Sequence, residues 1–241
     1  MTGADKWEVV EQKMSNRQKI DAMLQTIEAE FRVTKGFTGR SSLQPEVMEA
    51  MRLVARQEFV PPILTAMAYE NSPLPIGKGQ TISQPFIVAL MTDLLCPERG
   101  DVILEVGAGS GYQAAILSRL VRQVYTLEII PTLAARAAEV LQRLGYENVE
   151  VRQGDGYNGW PEHAPFDGII VTAAASHVPL PLQKQLKPGG RLILPLGLPY
   201  SFQELVVLEK DQKGMFSTRN VLPVSFVPLT RAEIDTDLKQ N

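Results

Sequence analysis

An α/β fold, with a doubly wound and mostly parallel sheet and an N-terminal helical addition, is predicted by three observations. Short β-rich runs alternate with helical stretches from residue 101 onward, a glycine-dense turn joins the first run to the first of those helices, and apolar residues at helical spacing lie upstream, between residues 6 and 33. Alternation of this length implies right-handed parallel crossovers, with the sheet covered on both faces. A chain of 241 residues is long enough for one such domain plus an added segment. We divide it into an extension, 1–44, and a main domain, 45–235.

Residues 6 to 33 place Val9, Val10, Met14, Ile20, Met23, Leu24 and Ile27 at helical spacing and predict one or two amphipathic helices. Their polar faces mix both charges, which fits packing on the main body, or on a second copy in a homo-oligomer, better than a membrane surface. "TKGFTGRSS", 34 to 42, reads as a loop, and "PEVMEAMRLV" as a helix with Pro45 in its first turn. Ser83, just before "QPFIVALMTDLL", has the pattern of a helix N-cap. The strands follow as "DVILEV", "QVYTLE", "VEVRQ", "DGIIVT", "RLILPL" and "ELVVLE"; the helices between them are "GYQAAILSRLV", "PTLAARAAEVLQRLG" and "PLPLQKQL".

Lys plus Arg number 24 against 27 Asp plus Glu, a net charge of −3, so no basic footprint for a nucleic acid is visible. The apolar runs break well short of the roughly 20 residues a spanning helix needs, and no membrane association is expected. Cys96 is the only cysteine, and the N-terminus lacks the basic flank and apolar run of a secretory signal, so a cytoplasmic location is expected. His163 and His177 are the only histidines, and no cluster has metal-ligand spacing. We expect both histidines, Trp160 and Cys96 to be surface or packing residues.

In "ILEVGAGSGYQ" the glycines fall at 107, 109 and 111, between an apolar strand and a helix, where open α/β sheets bind cofactors. A nicotinamide fingerprint would need Gly or Ala at 112, where Tyr112 stands, and no Gly-Lys-Ser/Thr of a P-loop follows. The next strand ends at Glu128, placed to accept the ribose hydroxyls of an adenosyl group. The third runs into "QGDGYNGW", where Asp155 is a candidate acceptor for an adenine amino group and Gly156 leaves room for the ring, although the same letters describe a plain turn. Glu105, two residues before the first glycine, completes an acid-x-G-x-G-x-G pattern that resembles the cofactor loop of S-adenosylmethionine (SAM) methyltransferases, with Ala108 and Ser110 as the intervening loop residues.

With "AYENSPLPIGKGQTISQPFIVALMTDLL", "NVEVRQGDGYNGWPEHAPFDGIIVTAAASHVP", "QLKPGGRLILPLG" and "SFVPLT" added, the chain resembles the protein-L-isoaspartate O-methyltransferases over about residues 45 to 230. The resemblance implies a SAM-dependent methyltransferase fold of Rossmann-like type with a variant order of the last strands. It also implies methyl transfer from SAM to the α-carboxylate of L-isoaspartyl residues in damaged proteins and peptides, after which the ester closes to a succinimide that hydrolyses in part to normal aspartate. The long N-terminus and Lys78, where His or Gln is expected, depart from the family pattern. A methyltransferase of another acceptor and a non-catalytic SAM-binding scaffold are the alternatives.

A carboxylate acceptor is already ionised at neutral pH, so the chemistry needs alignment and no general base. Thr81 and Ser83 supply hydroxyls that can hold it, and the resemblance puts the functional serine at Ser83. The backbone around Ile82 can pair with an extended peptide. Thr172 and Ala173, at the end of the fourth strand, are expected beside the methyl donor.

Overall fold

In a computed structural model of the chain, which describes residues 14–198 and 201–231, one long helix comes first. α1, Asn16–Thr38, starts with a capping box between Ser15 and Gln18 and ends at Gly39, whose φ of 69° lets its N–H reach the Lys35 carbonyl. Residues 34–38, expected as loop, therefore continue the helix, because the stop signal is Gly39 and not Gly36. The part of the expected helical segment before residue 14, and the expected domain end at 232–235, lie outside the described residues. α1 buries Met23, Leu24, Ile27 and Phe31 in the same core as the rest of the chain. Phe31 meets Phe86 edge-on at 5.6 Å.

α2, Pro45–Leu53, has Pro at its start as expected. A hairpin not anticipated from sequence follows, β1 (Leu74–Gly77) against β2 (Gln80–Ile82). Lys78 and Gly79 both have positive φ at its turn, the combination that matches the twist of paired strands. α3 is Pro85–Leu95, and its N-cap is Gln84, without a side-chain cap bond. The expectation that Ser83 caps this helix is thus corrected: Pro85 occupies the first turn, and the chain becomes helical one residue later than a Ser83 cap requires.

The expected strands form β3 (Val102–Val106), β4 (Gln123–Glu128), β5 (Val149–Gln153), β6 (Phe166–Val171), β7 (Leu186–Gly197) and β8 (Gln203–Lys210), and β9 (Phe216–Val224) adds an unexpected edge. Their order is β5-β4-β3-β6-β7-β8-β9, parallel through β7 and antiparallel for the last two pairings. α4 (Tyr112–Ser118), α5 (Pro131–Arg143) and α6 (Leu180–Gln185) are the crossovers. One core cluster fills the face under α1 to α4. A second, with Trp160, Phe166 and Leu182, fills the other. Strand order reverses between β3 and β6, which opens a crevice at their C-terminal ends.

Candidate active site

The end of β3 is held open by a tight turn. The Gly107 and Ala108 N–H groups both donate to the Leu127 carbonyl, at 2.8 and 3.0 Å. Gly107 has φ 99°, and a Cβ there would lie 2.4 Å from the Thr172 hydroxyl oxygen, so this position accepts only glycine. The Thr172 hydroxyl donates to the Gly107 carbonyl at 2.6 Å and locks the end of β6 to the turn. Ser110 receives the Tyr112 N–H, and Gly111 opens α4 with φ 87°.

Glu128 ends β4 with its carboxylate fixed on both sides. One oxygen accepts the Gly109 N–H at 2.8 Å and the other the Ile130 N–H at 3.0 Å. Each oxygen keeps acceptor capacity toward the crevice. Glu105 differs in state: it is fully buried in β3, neither oxygen has a hydrogen-bond partner, and burial, reinforced by the Glu128 charge, pushes its pKa up to about 8. The Thr126 hydroxyl opposite it on β4 opposes this shift without a hydrogen bond of normal geometry.

Two clefts meet here. One is lined by Gly107, Gly109, Glu128, Gly154, Gly156 and Thr172, with Thr81 on one side and Val227–Thr230 on the other. The second holds Ser83, Gln84, Phe86, Leu222–Val227 and, from α1, Glu30 and Thr34. Thr81, Thr172 and Val227 belong to both. A small cavity with Glu105, Ile82, Ser83, Ala108, Ser110 and Gln113 lies at the same junction.

The structure thus brings together Thr81, Ser83, Glu105, Gly107 to Ser110, Glu128, Gly156 and Thr172. Ile82 also reaches the small cavity, but it is buried opposite Leu74 in the hairpin, so its side chain packs and does not stand exposed between the hydroxyls. Asp155 uses one carboxylate oxygen to cap the short turn Gly156–Asn158 through the Tyr157 N–H at 2.9 Å. The space a side chain would need at Gly156 is filled by Val106, 2.2 Å from an ideal Cβ. Ala173 is buried at the rim of the first cleft.

His163 stacks on Tyr125 at 3.9 Å, and His177 is exposed beside Ser176. Trp160 is buried in the second core cluster. Among the described residues there is no His, Cys, Asp and Glu cluster suited to a metal, and no helix long and apolar enough to cross a membrane. Two contributors had no assigned role from sequence. The segment Val227–Thr230 lines the first cleft, with Val227 reaching both, and only its presence in "SFVPLT" pointed to it. Arg56 is fully buried and donates to the Ser83 carbonyl at 2.6 Å; nothing in "VARQEFVPP" signals that.

The family model described as "Protein-L-isoaspartate(D-aspartate) O-methyltransferase (PCMT)" matches residues 32–234. "Protein-L-isoaspartate O-methyltransferase 2" of Syntrophobacter fumaroxidans is 61% identical over 208 residues, 86% of this chain and 84% of that protein. Its namesake from Polaromonas sp. is 57% identical over 208 residues, 86% and 99%. A solved protein-L-isoaspartate O-methyltransferase superposes with a TM-score of 0.72 at 30% identity, over 88% of this chain and 70% of that one. A candidate enzyme of this type from Plasmodium falciparum, solved with S-adenosyl-L-homocysteine, shares the fold with a TM-score of 0.69 at 24% identity, over 86% and 98%. With the family model covering residues 32–234 and the Syntrophobacter and Polaromonas relatives each covering 86% of it, the chain belongs to the SAM-dependent protein-L-isoaspartate(D-aspartate) O-methyltransferase family.

Proposed function

We propose that this chain repairs damaged proteins by transferring a methyl group from SAM to the α-carboxylate of L-isoaspartyl residues. The observation that carries the reading is the meeting of the two clefts at Thr81, Thr172 and Val227; we assign the first to an adenosyl cofactor and the second to an acceptor chain. The residues of the first cleft fit SAM. The backbone is bare at Gly107 and Gly109, the Glu128 carboxylate has acceptor capacity to spare, and Glu105 presents buried oxygens that lack a donor. When bound, SAM supplies an electrophilic methyl group on a sulfonium.

Glu128 then holds the ribose hydroxyls, Gly107 to Gly111 let the cofactor approach, and Gly156 borders the adenine, with Asp155, which lines neither cleft, fixing that turn through its cap on the Tyr157 N–H. Ser83 and Thr81 donate hydroxyls to the acceptor carboxylate and fix the direction of attack. The acceptor needs no base because its pKa lies near 4. The chain's work is orientation and exclusion of water, worth up to about 7–11 kcal/mol. The ester formed closes to a succinimide without further help. The single cysteine suits a reducing compartment such as the cytoplasm.

The test is methyl transfer from labelled SAM to two peptides of one sequence, one with an isoaspartyl and one with a normal aspartyl linkage. Base-labile label on the isoaspartyl peptide alone is expected. Label on neither peptide, with SAM still bound, would overturn the assigned acceptor.

A further inference from the structure

Arg56 heads the largest fully buried side chains of the described chain, yet its contacts are carbonyls and a ring, with no carboxylate. Its Nε donates to the Ala68 carbonyl at 2.8 Å and one terminal nitrogen to the Ser83 carbonyl at 2.6 Å. The other terminal nitrogen has no hydrogen bond of normal geometry among the described residues, although the Tyr112 side chain interacts with the guanidinium, which lies 4.8 Å from the centre of its ring. A buried cation without a counter-ion is costly, because desolvation is not repaid by an ion pair.

The second cleft offers a reason to keep it. Among the described residues, the only charged one lining that cleft is Glu30, so their wall supplies no cation to an anionic acceptor. Ser83 lines both this cleft and the small junction cavity, and Arg56 stands one hydrogen bond behind it. Charge in a low-dielectric interior is weakly screened, so its potential reaches the adjoining cleft.

We infer that Arg56 is a positioning residue for the acceptor: it fixes the Ser83 segment through its carbonyl and places behind it an unneutralised positive charge that selects an anionic acceptor group. This rests on the reading of the second cleft as the isoaspartyl site. Because the guanidinium contacts two backbone carbonyls at once, a lysine keeps the charge and loses the fork.

The full chain carrying Arg56→Met or Arg56→Lys would be compared with the wild type for melting temperature, S-adenosylhomocysteine binding by calorimetry, and kcat and KM on an isoaspartyl peptide. Arg56→Met is expected to raise the peptide KM about tenfold with cofactor-product affinity within about twofold, and Arg56→Lys to restore KM to about threefold of wild type. If Arg56→Met does not fold, Arg56→Lys decides alone, a KM raised about threefold supporting the assignment. A peptide KM within twofold of wild type in every folded variant overturns it, as does an equal loss of cofactor-product affinity, which marks a purely structural role. Failure of the wild type to methylate the isoaspartyl peptide would instead remove the underlying reading.

Discussion

Two buried oxygens without partners make Glu105 a pH-sensitive residue of the site. Its folded pKa is raised to about 8 from an ordinary 4.5, so between those values the folded chain keeps a proton that the unfolded chain has released. Stability therefore falls as pH rises through that window and levels off above it. Glu105→Gln should stabilise the cofactor-free protein by about 3 kcal/mol at pH 7 and by almost nothing at pH 4. Urea melts at the two pH values test this; an equal difference at both would mean that the folded group is already ionised. Ser83 offers a contrast, since the cap belongs to Gln84. Ser83→Ala should cost less than about 0.5 kcal/mol, where loss of a true cap costs about 1, while turnover on an isoaspartyl peptide falls about tenfold or more. Stability loss with turnover retained would return Ser83 to a structural role. The glycine loop and Glu128 were legible because strand-end position and spacing survive in the sequence. Arg56 was not, because the letters of an arginine do not tell whether it will be buried.

Among the elements, the central parallel strands β3, β4 and β6 were legible because each is a β-rich, largely apolar run that is mostly buried. β9 escaped because five consecutive residues, Phe216 to Asn220, are exposed and Pro223 lies within it, both marks of an edge strand that weaken the strand pattern. The β1 and β2 hairpin escaped because four- and three-residue strands carry too few alternations to read. α1 was placed by its apolar spacing but stopped too early, since "TKG" looks like a turn until Gly39 is recognised as the cap. That helix is part of the core as well as a wall of the second cleft, through Phe31 on one side and Glu30 and Thr34 on another. Phe31→Ala should cost about 3–5 kcal/mol, the usual range for emptying a buried phenyl site. Thermal melting checks it, and a cost below about 1 kcal/mol would show that α1 is docked weakly on the sheet.

At the scale of the whole molecule, the reversal of strand order makes one wall of the site and the last segment of the chain makes the other. After β9 the chain returns across the crevice: the Ala174 N–H donates to the Val227 carbonyl and the Leu229 N–H to the Ala174 carbonyl, both at 2.8 Å. Gln203, buried at the start of β8, anchors this return with both ends of its amide. Its oxygen accepts the Phe226 N–H at 2.6 Å and its nitrogen donates to the Phe226 carbonyl at 3.1 Å. Because Leu222–Val227 line the second cleft and Val227–Thr230 the first, the Gln203 side chain, through Phe226, holds the segment that borders both. Gln203→Ala removes two hydrogen bonds and should destabilise the fold by about 1–3 kcal/mol. It should also raise the peptide KM and the dissociation constant of S-adenosylhomocysteine together, each by about threefold to tenfold. Ser83→Ala should move only the first of these and Glu128→Ala chiefly the second, so the three variants measured side by side separate the cleft walls from the strap that joins them. Lowered stability in Gln203→Ala with both constants unchanged would show that the returning segment holds its place through the Ala174 pairing alone.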